Sequence, residues 1–287
     1  MNLIADLTRQ RHAHDAYLCA CELELRAYKP GNVSLHSAGH DMTVEDFRRS
    51  ATVSAPYLSH PESGLGETIF RAIEATHRAV GCNTNLGIVL LCAPLMQAFL
   101  SPDREPTLHE TLRKILQKTT VIDADWVYRA IRLAQPAGLG KATEEDVRGI
   151  PQVTLLNAMR LAAARDSVAR QYSDSFGDVF DIAVPLYHDK LSLWDDEEWA
   201  ALAVFLGLLI RYPDSHVERK FGAACARQVT QRMVETEALL SACTSPQNIL
   251  GHLREADREF KSRGINPGTT ADLTVATILA AKLASLY

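Results

Sequence analysis

The chain has 287 residues, of which 47 % are hydrophobic and 23 % charged, with a formal net charge of −5. That length gives one large domain or two small ones, with apolar side chains enough for a sizeable core. A mildly acidic balance makes no global electrostatic claim on nucleic acid or an anionic membrane, so neither is expected as a partner, and an anionic ligand must be held by a local basic cluster.

With 15 glycines, 12 prolines and abundant alanine and leucine, the composition favours helices. Helical periodicity recurs almost throughout. A first helix is expected from about Asp6 to Ala27, with Leu18, Cys21 and Leu25 on one face. Lys29-Pro30-Gly31-Asn32 breaks it, and residues 29–42 carry no apolar run of their own. Thr43-Val-Glu-Asp46 is a capping-box pattern that opens a second helix to about Tyr57. Ser63 to Val80 follows, then Thr84 to Phe99, apolar on nearly every face and so expected at the centre of a bundle. Thr107 to Lys118 and Asp123 to Ala134 are amphipathic; Thr143 to Arg148, Val153 to Arg170 and Asp174 to His188 come next. Acidic residues from Asp195 to Glu198 suit the N-terminus of a helix running to about Arg211. Phe221 to Leu240, Ser245 to Lys261 and Thr269 to Leu286 complete the set. No alternating strand, internal repeat or low-complexity linker stands out. The expected architecture is one all-α domain over residues 1–287, bundle-like, around a buried central helix, with its polar chemistry left to loops and helix ends.

The six cysteines include no CxxC pair and read as buried free thiols of a reducing cytosol, hence a cytoplasmic protein. The N-terminal stretch lacks the apolar segment of a signal peptide. The longest apolar run, Ile88 to Leu100, falls short of the ~20 residues that span a bilayer.

Five loop-like segments carry the chemistry: 29–42, 81–87, 137–147, 212–222 and 264–273. Each combines Gly or Pro with polar side chains and adjoins a helix, the ingredients of an anion site at a helix N-terminus. Each also has a plainer reading. Thr269-Thr-Ala-Asp272 and Thr143-Glu-Glu-Asp146 are capping-box patterns, Asn83-Thr84 a simple N-cap, and Arg219-Lys220 a solvated helix end. Gly138-Leu-Gly140-Lys141 lacks the Walker spacing and a preceding strand. His36 and His40 have no third partner at zinc spacing.

Taken together, the five segments resemble the triphosphoribosyl-dephospho-coenzyme A synthase family over about Glu24 to Leu273, in the form of a divergent branch. The positions that carry the resemblance are Glu24, Lys29-Pro30-Gly31, Asp41-Met42, Gly81-Cys-Asn83-Thr84-Asn-Leu-Gly87, Asp214-Ser215-His216-Val217 with Arg219-Lys220, and Asn266-Pro267-Gly268-Thr-Thr270-Ala271-Asp272-Leu273. Members of the citrate-lyase type place His-Lys after the Asn-Thr, where this chain has Asn85-Leu86, and their Asn-Asn-Asp-Thr-Asn segment is Tyr-Pro-Asp-Ser-His here.

The resemblance implies an ATP-dependent transferase of cofactor biosynthesis. The ribose C1′ of ATP is attacked by an alcohol, dephospho-coenzyme A or a related precursor, and adenine leaves. Such glycosyl transfer needs an acid for the leaving base and a carboxylate on the acceptor side. The triphosphate needs cations, including Mg²⁺. By that resemblance Lys29, Lys141, Arg219 and Lys220 are phosphate clamps; Asn83, Thr84, His216 and Thr270 bond ribose or phosphate oxygens; and Gly31 and Gly268 let backbone approach the nucleotide. Glu24, Asp41, Asp214 and Asp272 are the Mg²⁺ ligands, with Asp41 and Asp272 also the catalytic acid/base pair. The 29–42 loop is expected to be ordered by its ligand, delivering Lys29 and Asp41 to it. The expected partners are small-molecule substrates, with a homo-oligomer left open. Two other readings stay open on sequence: a different transferase, ligase or hydrolase acting on a phosphorylated precursor, and a non-catalytic helical nucleotide-binding protein.

Overall fold

The computed structural model describes residues 3–37, 39, 42–60 and 63–287, with side chains from residue 6 onward. The described residues form fourteen α-helices and no strand beyond two isolated bridges, so the fold is all-α. In chain order they are α1 (Leu3–Arg26), α2 (Val44–Ser59), α3 (Leu65–Val80), α4 (Leu86–Leu100), α5 (Leu108–Gln117), α6 (Val121–Ala134), α7 (Leu155–Ala162) and α8 (Ser167–Ser173). A π-helical turn, Asp178–Ala183, leads into α9 (Val184–Trp194), followed by α10 (Glu197–Arg211), α11 (Ser215–Phe221), α12 (Ala223–Ala242), α13 (Leu250–Ser262) and α14 (Gly268–Ser285).

The capping box at Thr43 forms as its pattern requires: Asp46 donates its amide to the Thr43 hydroxyl and accepts from the Thr43 amide. Thr107 with Glu110 and Thr120 with Asp123 repeat it at α5 and α6. α4 is buried from Ile88 to Leu95 on every face and packs against α14, itself buried along most of its length. α10 divides two apolar clusters. Ala200, Val204 and Leu208 join the main core with α1–α6 and α14, while Phe205, Leu206 and Leu209 pack with Val217, Met233, Leu253 and Phe260.

Pro94 stands inside α4 and has no N–H to give the Leu90 carbonyl. The fully buried Tyr172 supplies the missing donor from α8, its hydroxyl donating to Leu90 O at 2.6 Å.

Four sequence expectations are corrected. Residues 143–148 form no helix: Glu145 has φ 48° and Asp146 turns back to accept from the Ala142 and Arg148 amides at 2.8 and 3.0 Å. The expected Val153–Arg170 helix is two helices, because Asp166 caps α8 through the Ala169 amide at 3.0 Å. The start of Asp174–His188 is a turn, with Ser175 and Phe176 at positive φ. The 212–222 loop contains a short helix, α11, capped by Asp214. No described helix is long and apolar enough to cross a membrane.

Tyr172→Phe removes one hydroxyl and leaves the Leu90 carbonyl buried without a donor. A loss of about 1–3 kcal/mol in urea unfolding is expected, with little change of fold by circular dichroism.

Candidate active site

The N-termini of α4, α11 and α14, the C-terminal end of α1 and the 136–147 loop surround one cavity of about 450 Å³. Four of the five sequence segments reach it through Asn83, Thr84 and Gly87, through Gly138 and Lys141, through His216 and Arg219, and through Asn266, Gly268 and Asp272. The 29–42 segment adds Asn32 and Met42. Helices α4, α6 and α7 contribute an apolar wall that includes Ile88, Leu90, Val127, Leu155 and Met159.

Asp272 is not the capping residue its pattern suggests. α14 begins after Pro267 with no side-chain cap, and Thr269 Oγ1 accepts from Ser215 Oγ at 3.1 Å. The Asp272 carboxyl is turned instead onto the first turn of α4, where a Cβ on Gly87 would lie 2.0 Å from its Oδ2. Only glycine leaves room for it there. Among the described residues, no group donates a hydrogen bond to this carboxyl. Burial, then the neighbouring Glu24 and Asp214, push its pKa well above the ordinary carboxylate range, with Arg219 opposing.

Glu24 is 3 % exposed and lines the same cavity. Its Oε1 pairs with Lys29 Nζ at 3.0 Å. Burial raises the Glu24 pKa and lowers that of Lys29, and their pairing pulls each back toward its charged form.

Lys29, expected at the phosphates, is turned into the protein interior instead of the cavity. Its ammonium is fully buried, does not line the cavity, and donates to the carbonyls of Glu24, Ala27 (3.2 Å) and Val33 (3.4 Å) as well as pairing with Glu24. The loop that carries it is held by the protein itself. Asp257 on α13 accepts from the Gly31 amide at 2.9 Å and from Ser37 Oγ at 2.6 Å, and Lys261 donates to Ser37 O at 2.9 Å. Gly31, at φ 82°, lies against Phe260 and the Ile265 carbonyl rather than the cavity.

Asp214 and Thr270 are likewise turned inward. Asp214 Oδ1 accepts from the His216 and Val217 amides at 2.9 and 3.0 Å, and Oδ2 accepts from the Thr270 amide and hydroxyl, both at 2.7 Å. One carboxylate thus ties the starts of α11 and α14 together, with neither oxygen left for a metal. Lys220 is exposed, over the Phe221 ring, and does not line the cavity. Asp41 lies outside the described residues.

Asn83 Oδ1 accepts from the Leu86 amide at 3.1 Å, which leaves its amide nitrogen as a donor. Ser50 Oγ gives its proton to Asp46 O at 2.6 Å, so Thr84, at 2.5 Å, is the donor to Ser50 and offers the cavity only lone pairs. Arg219 pairs with Asp166 at 2.6 Å, while Lys141 and Arg165 are exposed at the rim. Gly138, φ 72°, sits on the Arg219 backbone and anchors the loop that carries Lys141. Sequence reasoning missed Asn32, Arg165, Asp166 and the apolar wall. Asn32, which donates to Asn266 Oδ1 at 2.8 Å, sat inside a flagged segment and was the most findable of them.

Among the described residues, no three His, Cys, Asp or Glu side chains converge on a metal by themselves. One carboxylate completed by phosphate oxygens and water is nevertheless a normal Mg²⁺ donor set, and Glu24 fits it.

The site is thus an all-helical cavity that combines two buried carboxyls with a basic rim. Residues 10–287 match the family described as ATP:dephospho-CoA triphosphoribosyl transferase (CitG), and the chain belongs to that family and is a transferase. A crystal structure from Archaeoglobus fulgidus bearing the name triphosphoribosyl-dephospho-CoA synthase is similar, with a TM-score of 0.63 and 25 % identity over 81 % of this chain and 96 % of that one. No curated protein matches the chain.

Lys29→Met leaves the Glu24 carboxylate buried without its partner. A loss of about 3–5 kcal/mol is expected in chemical denaturation, and the Glu24→Gln/Lys29→Met double variant should be less destabilised than Lys29→Met alone.

Proposed function

We propose that this chain transfers the triphosphoribosyl group of ATP to an alcohol and releases adenine. In that step the C1′–N bond to adenine breaks and a C1′–O bond to the acceptor forms. The departing adenine takes up one proton and the acceptor hydroxyl gives one up. The observation that carries this reading is the unlike pair of buried carboxylates in one cavity. Burial raises the pKa of both, but Asp272, which has no hydrogen-bond donor among the described residues, is driven much further toward its proton-bearing form, whereas Lys29 at 3.0 Å draws Glu24 back toward its anion. Two carboxylates with environments that separate their charge states are what glycosyl transfer uses.

On this reading Asp272 is the acid that protonates adenine. Glu24 is the anion facing the positive charge that develops at C1′, and it is the residue that would hold Mg²⁺. Bound there, Mg²⁺ supplies charge neutralisation for the triphosphate. Arg219, Lys141 and Arg165 hold the outer phosphates from the rim. Thr84, an acceptor toward the cavity, and Asn83, a donor, suit ribose hydroxyls, and the wall of Ile88, Leu90 and Met159 takes an apolar or planar portion of a substrate.

The acceptor is dephospho-coenzyme A or a related alcohol. The apolar Leu86 lines the cavity where the citrate-lyase type carries Lys, which removes one cation and favours an acceptor with less charge there. The same substitution is the specific observation behind the alternative, a transferase acting on another phosphorylated precursor.

Incubation with ATP, Mg²⁺ and a panel of alcohols including dephospho-coenzyme A, read by adenine release and product mass, tests the reading. Asp272→Asn is expected to slow adenine release by about 10²–10⁴-fold while ATP binding persists. Undiminished adenine release by Asp272→Asn would remove that residue from the chemistry. Absence of adenine with every acceptor, alongside Mg²⁺-dependent turnover of another phosphorylated compound, would replace the proposal with the alternative.

A further inference from the structure

Behind the cavity lies a second, much smaller void of about 10 Å³, bordered by Tyr17, Cys21, Glu24, Phe47 and Asn85 among others. Glu24 borders both spaces. Asn85 precedes α4 and is 3 % exposed, and its Oδ1 is buried with no protein hydrogen-bond donor.

The orientation of that amide follows from its neighbours. Ser54 Oγ has one proton, and the Ser50 carbonyl takes it at 2.7 Å. Tyr17 OH, at 2.9 Å, must then donate to Ser54, and so must Asn85 at 3.5 Å, which fixes Nδ2 toward Ser54 and leaves Oδ1 as the free end. Glu24 is engaged by Lys29 through Oε1 at 3.0 Å. Asn85 and Glu24, two residues with acceptor oxygens, thus border one void, and Asn85 Oδ1 has no hydrogen-bond partner. A buried acceptor left unpaired costs about 1–3 kcal/mol. A void of this size admits about one water molecule.

We infer that Asn85 is a positioning residue for Glu24: one buried water donates to Asn85 Oδ1 and to the Glu24 carboxylate, fixing that carboxylate from behind the cavity. The Tyr17–Ser54–Asn85 chain holds the amide, the amide holds the water, and the water and Lys29 hold the two sides of Glu24. The catalytic importance of this arrangement rests on the proposed role of Glu24, but the water site itself does not. Outer partners of this kind typically change metal affinity or activity about 10–100-fold when removed.

The first test is a crystal structure of the unaltered protein, which should show one water within hydrogen-bond distance of both Asn85 Oδ1 and a Glu24 carboxylate oxygen. A dry void, or an Asn85 amide turned the other way, overturns the inference whatever the protein catalyses. The second is the dissociation constant for Mn²⁺·ATP, read by electron paramagnetic resonance. Asn85→Leu is expected to weaken it about tenfold or more and Asn85→Ser, which keeps an acceptor, to restore most of it. Equal affinity in all three proteins overturns the positioning role. If the unaltered protein shows the water but binds no Mn²⁺·ATP, the water site stands and the proposed function fails instead.

Discussion

Everything at the cavity depends on how closely α14 approaches the start of α4. The Asp272 carboxyl occupies space that any side chain at position 87 would fill, since a Cβ there would come within 2.0 Å of its oxygen. Two of the most buried helices of the fold therefore begin at one place, and their positive N-terminal ends converge on the cavity. Because both helices are buried along most of their length, the approach is fixed by the core rather than by a loop. Asp214 reinforces it, binding the first turns of α11 and α14 with one carboxylate and thereby setting His216 and Arg219 relative to Asp272. The surrounding loops are then attached to this frame, the 29–37 segment through Asp257 and the 136–147 segment through the backbone of Arg219.

How far the sequence was legible is clearest from one repeated pattern. A threonine followed three residues later by an acid occurs at Thr43, Thr107, Thr120, Thr143 and Thr269. At the first three the acid turns back to the threonine amide and a helix starts. At Thr143 the acid is taken by Arg148 and the Ala142 amide, and at Thr269 the threonine is taken by Ser215 while the acid enters the cavity. Nothing in the four-residue string separates these outcomes. They are decided by partners from elsewhere in the fold, which local propensity does not contain. The long apolar helix α4, by contrast, needed no partner to be read, because a segment apolar on all faces has only one place to go.

The site followed the same division. Segments rich in Gly, Asn, Thr and Asp beside helix starts are legible, and all five face one cavity by more than one residue. What a segment cannot say is which way each side chain points. Lys29 is expected at a phosphate by the resemblance of Lys29-Pro30-Gly31 to the family pattern, which carries no information on where the side chain points. Here the chain turns so that its ammonium meets the carboxylate and carbonyl of Glu24, a cost in desolvation that only the pairing offsets. Asp214 looked like a metal ligand because its pull toward two helix starts is invisible without α11, which was not expected. Arg165 and Asp166 were missed because the break between α7 and α8 was read as continuous helix.

The distribution of charge also bears on how a polyphosphate could enter. A phosphate charge about 4 Å from an ionised carboxylate is repelled by about 4 kcal/mol at the effective dielectric of a partly buried site. An exposed lysine such as Lys141 returns about 0.2–1 kcal/mol, and Arg219 is already engaged with Asp166 at 2.6 Å. The rim alone therefore does not offset the interior. Either the carboxylate beside the phosphate carries a proton or a cation lies between them, and the Lys29 pairing, which draws Glu24 toward its anion, favours the second course on its side of the cavity. Burial leaves the first for Asp272. On the proposed reaction, the electrostatics that would exclude bare ATP are the same ones that would admit it with a divalent cation, and they keep the proton on the carboxyl that needs it.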